Sequence, residues 1–65
     1  MIIQVNGRPL ACKGRTLKAL FRTMNVKAVR VAVVLNGEVV PSARRDKVRL
    51  APGDRVELVT LAGGG

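Results

Sequence analysis

Thr16-Leu17-Lys18-Ala19-Leu20-Phe21-Arg22-Thr23-Met24-Asn25 decides how this chain folds. Leu17, Leu20, Phe21 and Met24 recur at i, i+3, i+4 and i+7, the spacing that lines one face of an α-helix. Thr16 suits the N-cap, because its hydroxyl accepts a hydrogen bond from an amide with no partner inside the helix. Lys18, Arg22 and Thr23 fall off the apolar stripe and are expected to face water. Asn25 is the expected stop, since it tolerates the left-handed conformation that ends many helices. Four apolar side chains at roughly 1.5–3 kcal/mol each when buried need a surface to pack on.

The flanks supply that surface as strands. Before the helix, residues 1–5 read as a strand, and Asn6-Gly7 is a hairpin turn whose two residues both accept positive φ. Residues 9–13 read as the returning strand, which Gly14-Arg15 breaks. After the helix, residues 29–35 are β-branched and mostly apolar, the pattern of a central strand buried on much of both faces. Asn36-Gly37 is a second turn, Glu38-Val39-Val40 a short strand, and Pro41 its end. Residues 42–51 read as irregular. Pro52-Gly53-Asp54 is a turn, with Asp54 bonding nearby backbone. Residues 55–61 alternate as a last strand, with Val56 and Leu58 inward and Arg55, Glu57, Val59 and Leu61 on the other face. Hairpin, helix and further strands in that order give an α+β fold, a mixed sheet of four to five strands with one helix on one face.

Size and composition narrow the function. The chain has 65 residues, and a domain this small buries only about 60% of its unfolded surface. An independent enzyme with a deep pocket does not fit that size. Disorder does not fit either, because 48% of the residues are hydrophobic and fall in periodic segments. There is no histidine, and the four acidic residues are well separated, so neither a metal site nor acid–base catalysis is indicated. The formal charge of +8 favours an acidic partner, such as nucleic acid, an anionic lipid surface or an acidic protein face. A single cysteine, Cys12, permits no internal disulfide, and no secretory leader or membrane span is legible. A reducing cytoplasm is the expected compartment.

The sequence ends Leu61-Ala62-Gly63-Gly64-Gly65. A glycine run cannot pack and is expected to be mobile. It offers a thin strand that can thread a narrow channel and present a carboxylate there. Residues 1–62 are accordingly expected to form the domain and residues 63–65 a flexible tail. Val59, Leu61 and Ala62 would form a small apolar patch beside that tail, the kind of surface used for docking.

This order of elements is the β-grasp, or ubiquitin-like, pattern. The chain resembles the ThiS-type sulfur carriers of thiamine biosynthesis over its full length. The resemblance is carried by Ile3-Gln4-Val5-Asn6-Gly7, by Ala32-Val33-Val34-Leu35-Asn36-Gly37-Glu38-Val39-Val40-Pro41, by Leu50-Ala51-Pro52-Gly53-Asp54-Arg55-Val56-Glu57-Leu58-Val59 and by the terminal Gly63-Gly64-Gly65. It implies that the Gly65 carboxylate is the reacting group. It further implies adenylation by a ThiF-like E1 enzyme with ATP and Mg²⁺ bound by that enzyme, not by this chain. Sulfur from a cysteine desulfurase persulfide then gives a thiocarboxylate, which a ThiG-like thiazole synthase consumes. Gly63 and Gly64 would thread the partner's channel. In this scheme the chain is a co-substrate and not an enzyme.

Other readings use the same residues. A carrier for molybdopterin synthesis or tRNA thiolation keeps the tail chemistry and changes the acceptor. A ubiquitin-like modifier would join the tail to a lysine. A nucleic-acid-binding β-grasp module of the TGS kind would use the basic run Arg44-Arg45-Asp46-Lys47-Val48-Arg49. RNA readers usually stack bases on aromatic side chains, and the single aromatic residue, Phe21, belongs to the helix core face, so nucleic acid is not the expected partner. Cys12 is expected to point inward as a small hydrophobe rather than to relay sulfur.

Overall fold

The computed structural model describes residues 1–60. Strands β1 (Ile2–Val5) and β2 (Arg8–Ala11) form the first hairpin, followed by helix α1 (Leu17–Met24). A short 3₁₀ turn (Ala28–Arg30) leads into β3 (Val31–Leu35), which pairs with β4 (Glu38–Val40). A second 3₁₀ segment (Ser42–Lys47) then leads to β5 (Arg55–Thr60). The strands make one sheet in the order β2-β1-β5-β3-β4. β1 and β5 run parallel, and the other pairs are antiparallel. This is the mixed five-stranded, one-helix arrangement expected. The expected boundary between residues 62 and 63 lies outside the described residues. No described helix is long and apolar enough to cross a membrane.

The helix forms as its caps dictate. The Thr16 hydroxyl accepts from the Ala19 amide at 3.1 Å. Asn25 adopts φ 56° and closes the other end, with Asn25 N–H donating to Arg22 O and Val26 N–H to Phe21 O. That pair of bonds is a Schellman closure, with asparagine in the left-handed position. Leu17, Leu20 and Phe21 are buried against Ile3, Val5, Val31, Val33 and Val56 from the sheet, with Met24 half-buried at the edge. Both Asn-Gly turns have positive φ at both residues, 51° and 82° at the first, 49° and 86° at the second. Gly14 also has positive φ, and a Cβ there would stand 2.9 Å from the Ala19 Cβ, so this glycine lets the hairpin approach the helix.

Five expectations are corrected. The strand expected over 29–35 begins at Val31, and Val29 is 83% exposed in the 3₁₀ turn. That strand is also not the central one; β5 takes that place, between β1 and β3. Nor is it deeply buried on both faces: Val31 and Val33 are buried, while Ala32 and Val34 on the other face are half-buried. One helix covers one face of the sheet and nothing described covers the second. The strand expected over 9–13 is Arg8–Ala11; Cys12 N–H donating to Met1 O and the terminal ammonium donating to Cys12 O carry the pairing one residue further in the same register. The segment expected to be irregular holds the second 3₁₀ turn and a single bridge between Thr16 and Arg49.

Candidate functional site: the strand that leads into the glycine tail

The last described strand lies in the middle of the sheet. β5 is bonded on both sides, to β1 and to β3, and its last residue, Thr60, stands opposite Val31. Val56 is buried and Leu58 half-buried on the helix side, while Arg55, Glu57 and Val59 occupy the uncovered face. Leu61, Ala62, Gly63, Gly64 and Gly65, five of the expected site residues, lie outside the described residues. The sixth, Val59, is 51% exposed and stands opposite Ala32.

Val59 has company that sequence reasoning missed. Val34 pairs with Val39, and Ala32 pairs with Val59, so alternation puts all four on one face. Val39 and Ile2 are both more than half exposed on that same uncovered side. Alternation places each of these residues correctly within its own strand. Which strands then lie side by side is a matter of pairing, and no local signal carries it.

The polar contacts around β5 were also hidden. The parallel ladder of β1 with β5 covers only Gln4 with Arg55 and Val5 with Val56. Beyond it, the Asn6 side chain takes over: its Oδ1 accepts from Leu58 N–H at 2.8 Å and its Nδ2 donates to Leu58 O at 3.3 Å. Asn36 acts at the other end of the strand. Its Oδ1 accepts from Arg55 N–H at 2.9 Å, and its Nδ2 donates to Asp54 Oδ1 at 3.1 Å. The other carboxylate oxygen of Asp54 accepts from Ala51 N–H, which is the turn-forming role expected of it. Two turn asparagines therefore hold the tail-bearing strand at its start and near its end.

Arg45 braces the neighbouring strand. Its guanidinium donates to Ala28 O and Val31 O, both at 2.7 Å. β4 stops opposite Val33, so this edge of β3 is finished by a side chain instead of a strand. One member of the basic run 44–49 is thus committed to structure. Cys12 is buried, with its thiol turned toward Lys13 O at 4.0 Å. No group of three or more potential metal ligands occurs among the described residues. The groove of about 390 Å³ between α1 and the two 3₁₀ segments is lined by Leu17, Phe21, Ala28 and Arg45 among others.

Geometry and topology together define a β-grasp domain whose central strand runs directly into its C-terminal segment. The model of the ThiS family matches residues 3–65, and the chain belongs to that family of sulfur carriers. It is 38% identical over 64 residues to the sulfur carrier protein ThiS of Thermus thermophilus, covering 98% of this chain and all of that one. It is 36% identical to the uncharacterized protein ycf40 of Pyropia yezoensis, covering 97% of this chain and 90% of the relative. Among solved structures it is similar to the thiamine biosynthesis protein ThiS from Geobacter metallireducens. That match has a TM-score of 0.83, 35% identity and full coverage of both chains.

Proposed function

We propose that this chain carries sulfur on the Gly65 carboxylate for the formation of a thiazole ring in thiamine biosynthesis. A free carboxylate is a poor electrophile, because its charge repels nucleophiles and oxide does not leave. In the proposed sequence a ThiF-like enzyme joins the Gly65 carboxylate to the α-phosphate of Mg-ATP, and pyrophosphate departs. A persulfide sulfur from a cysteine desulfurase then attacks the carbonyl and AMP leaves. Cleavage of the resulting S–S bond by a second thiol, which is oxidised to a disulfide, leaves the thiocarboxylate. A ThiG-like synthase is the proposed acceptor.

The residues of this chain supply position and access. Glycines at 63, 64 and 65 leave no β-carbon to block a narrow channel. β5 fixes the direction from which the tail starts, and Val59 offers apolar contact area beside it. The observation that carries the reading is the family match running through Gly65, in a fold whose central strand is the one that precedes the tail.

Intact-mass measurement tests it. Incubation with the ThiF-like enzyme, Mg-ATP, a desulfurase and cysteine should add the oxygen-to-sulfur mass difference at the C-terminus. Removal of Gly64-Gly65 should abolish the shift while leaving thermal unfolding unchanged. An unmodified mass, with the activating enzyme proven competent on another carrier, sinks the proposal.

A further inference from the structure

Charge is distributed unevenly in this molecule, and the tail leaves it at a basic end. No acidic residue occurs before Glu38, whereas seven of the twelve basic residues do. At Thr60, β5 lies beside Val31, so the Ala28–Arg30 turn borders the tail's starting point on one side. On the other side, Asn6 holds Leu58, which puts the Asn6-Gly7 turn beside that stretch of β5, and Arg8 follows the turn on β2, one strand further out and opposite Val5. Arg8, Lys27 and Arg30 are all exposed. Three of the four acids sit elsewhere. Asp54 is bonded to the Asn36 side chain at the far end of β5, and Glu38 follows that same turn. Glu57 stands opposite Val34 on the uncovered face, and Asp46, the acid nearest the Ala28–Arg30 turn, lines the groove over α1 with Lys18, Ala28 and Val29.

We propose that this end of the sheet, with Arg8 on one side of β5 and Lys27 and Arg30 on the other, docks on a carboxylate-rich protein surface that rims the channel receiving the tail. The inference rests on the reading of Gly65 as the reacting carboxylate. Tail length decides which anion the cations meet. The five residues from Leu61 to Gly65 reach at most about 18 Å when extended. With Gly65 at the nucleotide, cations at the root of a threaded tail stay at the channel mouth, too far away to contact its phosphates. Their counter-charges are therefore Asp and Glu side chains of the protein that swallows the tail. Nucleic acid fits less well, because the single aromatic residue, Phe21, is buried and leaves no exposed ring for bases to stack on. Cations around a docking rim act mainly by steering encounter, and salt screens them within about 10 Å at 0.1 M ionic strength.

Carrier-dependent ATP–pyrophosphate exchange, run with the full chain and the ThiF-like enzyme of the same organism, tests the assignment. The KM for the carrier should rise about tenfold between low and moderate salt, with kcat nearly constant. Arg8→Glu/Lys27→Glu/Arg30→Glu should raise KM at least as far at low salt. Lys13→Glu/Arg15→Glu/Arg49→Glu makes the same charge change near the N-terminus of α1 and should leave KM within about twofold of the unmodified chain. Thermal melts of both variants are read first. If the first triple variant unfolds, the single changes Lys27→Gln and Arg30→Gln carry the same comparison. A KM indifferent to salt and to the first triple variant overturns the inference while the tail chemistry stands. Equal effects of both triple variants overturn it too, because net charge and not place would then govern docking. Absence of exchange at any carrier concentration removes the tail reading, and the inference with it.

Discussion

The two Asn-Gly turns look the same in sequence and have the same backbone, yet they hold different parts of the tail-bearing strand. Asn36 acts where β5 begins, at Arg55, and shares the work with Asp54. Asn6 acts near the end of the strand, at Leu58, and takes both the amide and the carbonyl of that residue. Its partner is 52 positions away in the chain. Turn propensity explains why asparagine and glycine stand at both places. It does not explain why one asparagine replaces a missing stretch of parallel ladder while the other joins its turn to a second turn 18 positions away, at Asp54. A residue suited to a turn on backbone grounds can carry a second, long-range duty through its side chain.

The largest effect on this contrast should come from Asn6→Ala. Alanine must adopt φ near 51° at this position and also loses both bonds to Leu58, so the fold should lose about 3 kcal/mol. Chemical denaturation would measure it, and a loss equal to that of a surface alanine change elsewhere would refute the clamp. Asn6→Gly is the sharper variant. It keeps the turn and removes the clamp, and should cost about 1–2 kcal/mol, with faster hydrogen exchange at the Leu58 amide. Asn36→Gly should have the smallest effect, about 1 kcal/mol, because Asp54 keeps its bond to Ala51 N–H and Asn36 N–H still donates to Arg55 O. If Asn36→Gly proved the more damaging of the two glycine changes, the proposed division of labour would be reversed.

Much of the architecture was legible because it is local. The helix face, its Thr16 and Asn25 caps and both hairpin turns all rest on interactions within a few residues, and each appears where the spacing put it. Strand ends were less legible. Val29 has the composition of a strand residue but sits in a 3₁₀ turn that Arg45 braces through the Ala28 and Val31 carbonyls. An arginine inside a basic run gives no sign that it will cap a strand edge, since solvated arginines have the same sequence context. The site divides in the same way. The expected tail lies outside the described residues; Val59 was legible from alternation, whereas Val39 and Ile2 join that exposed face only through pairing across the sheet.

What the sequence determined by itself is the set of pieces: one capped amphipathic helix, two asparagine–glycine hairpins, an alternating last strand and a glycine end. Those follow from short-range sterics, hydrogen bonding and the period of apolar residues, all of which a linear chain displays. Only the tertiary structure decided that the last strand would lie in the centre, parallel to the first, with Asn6 and Asn36 gripping it. Strand pairing joins backbone groups that every residue possesses. The choice among edges therefore depends on how the whole sheet buries its apolar face under a single helix, and no segment expresses that alone.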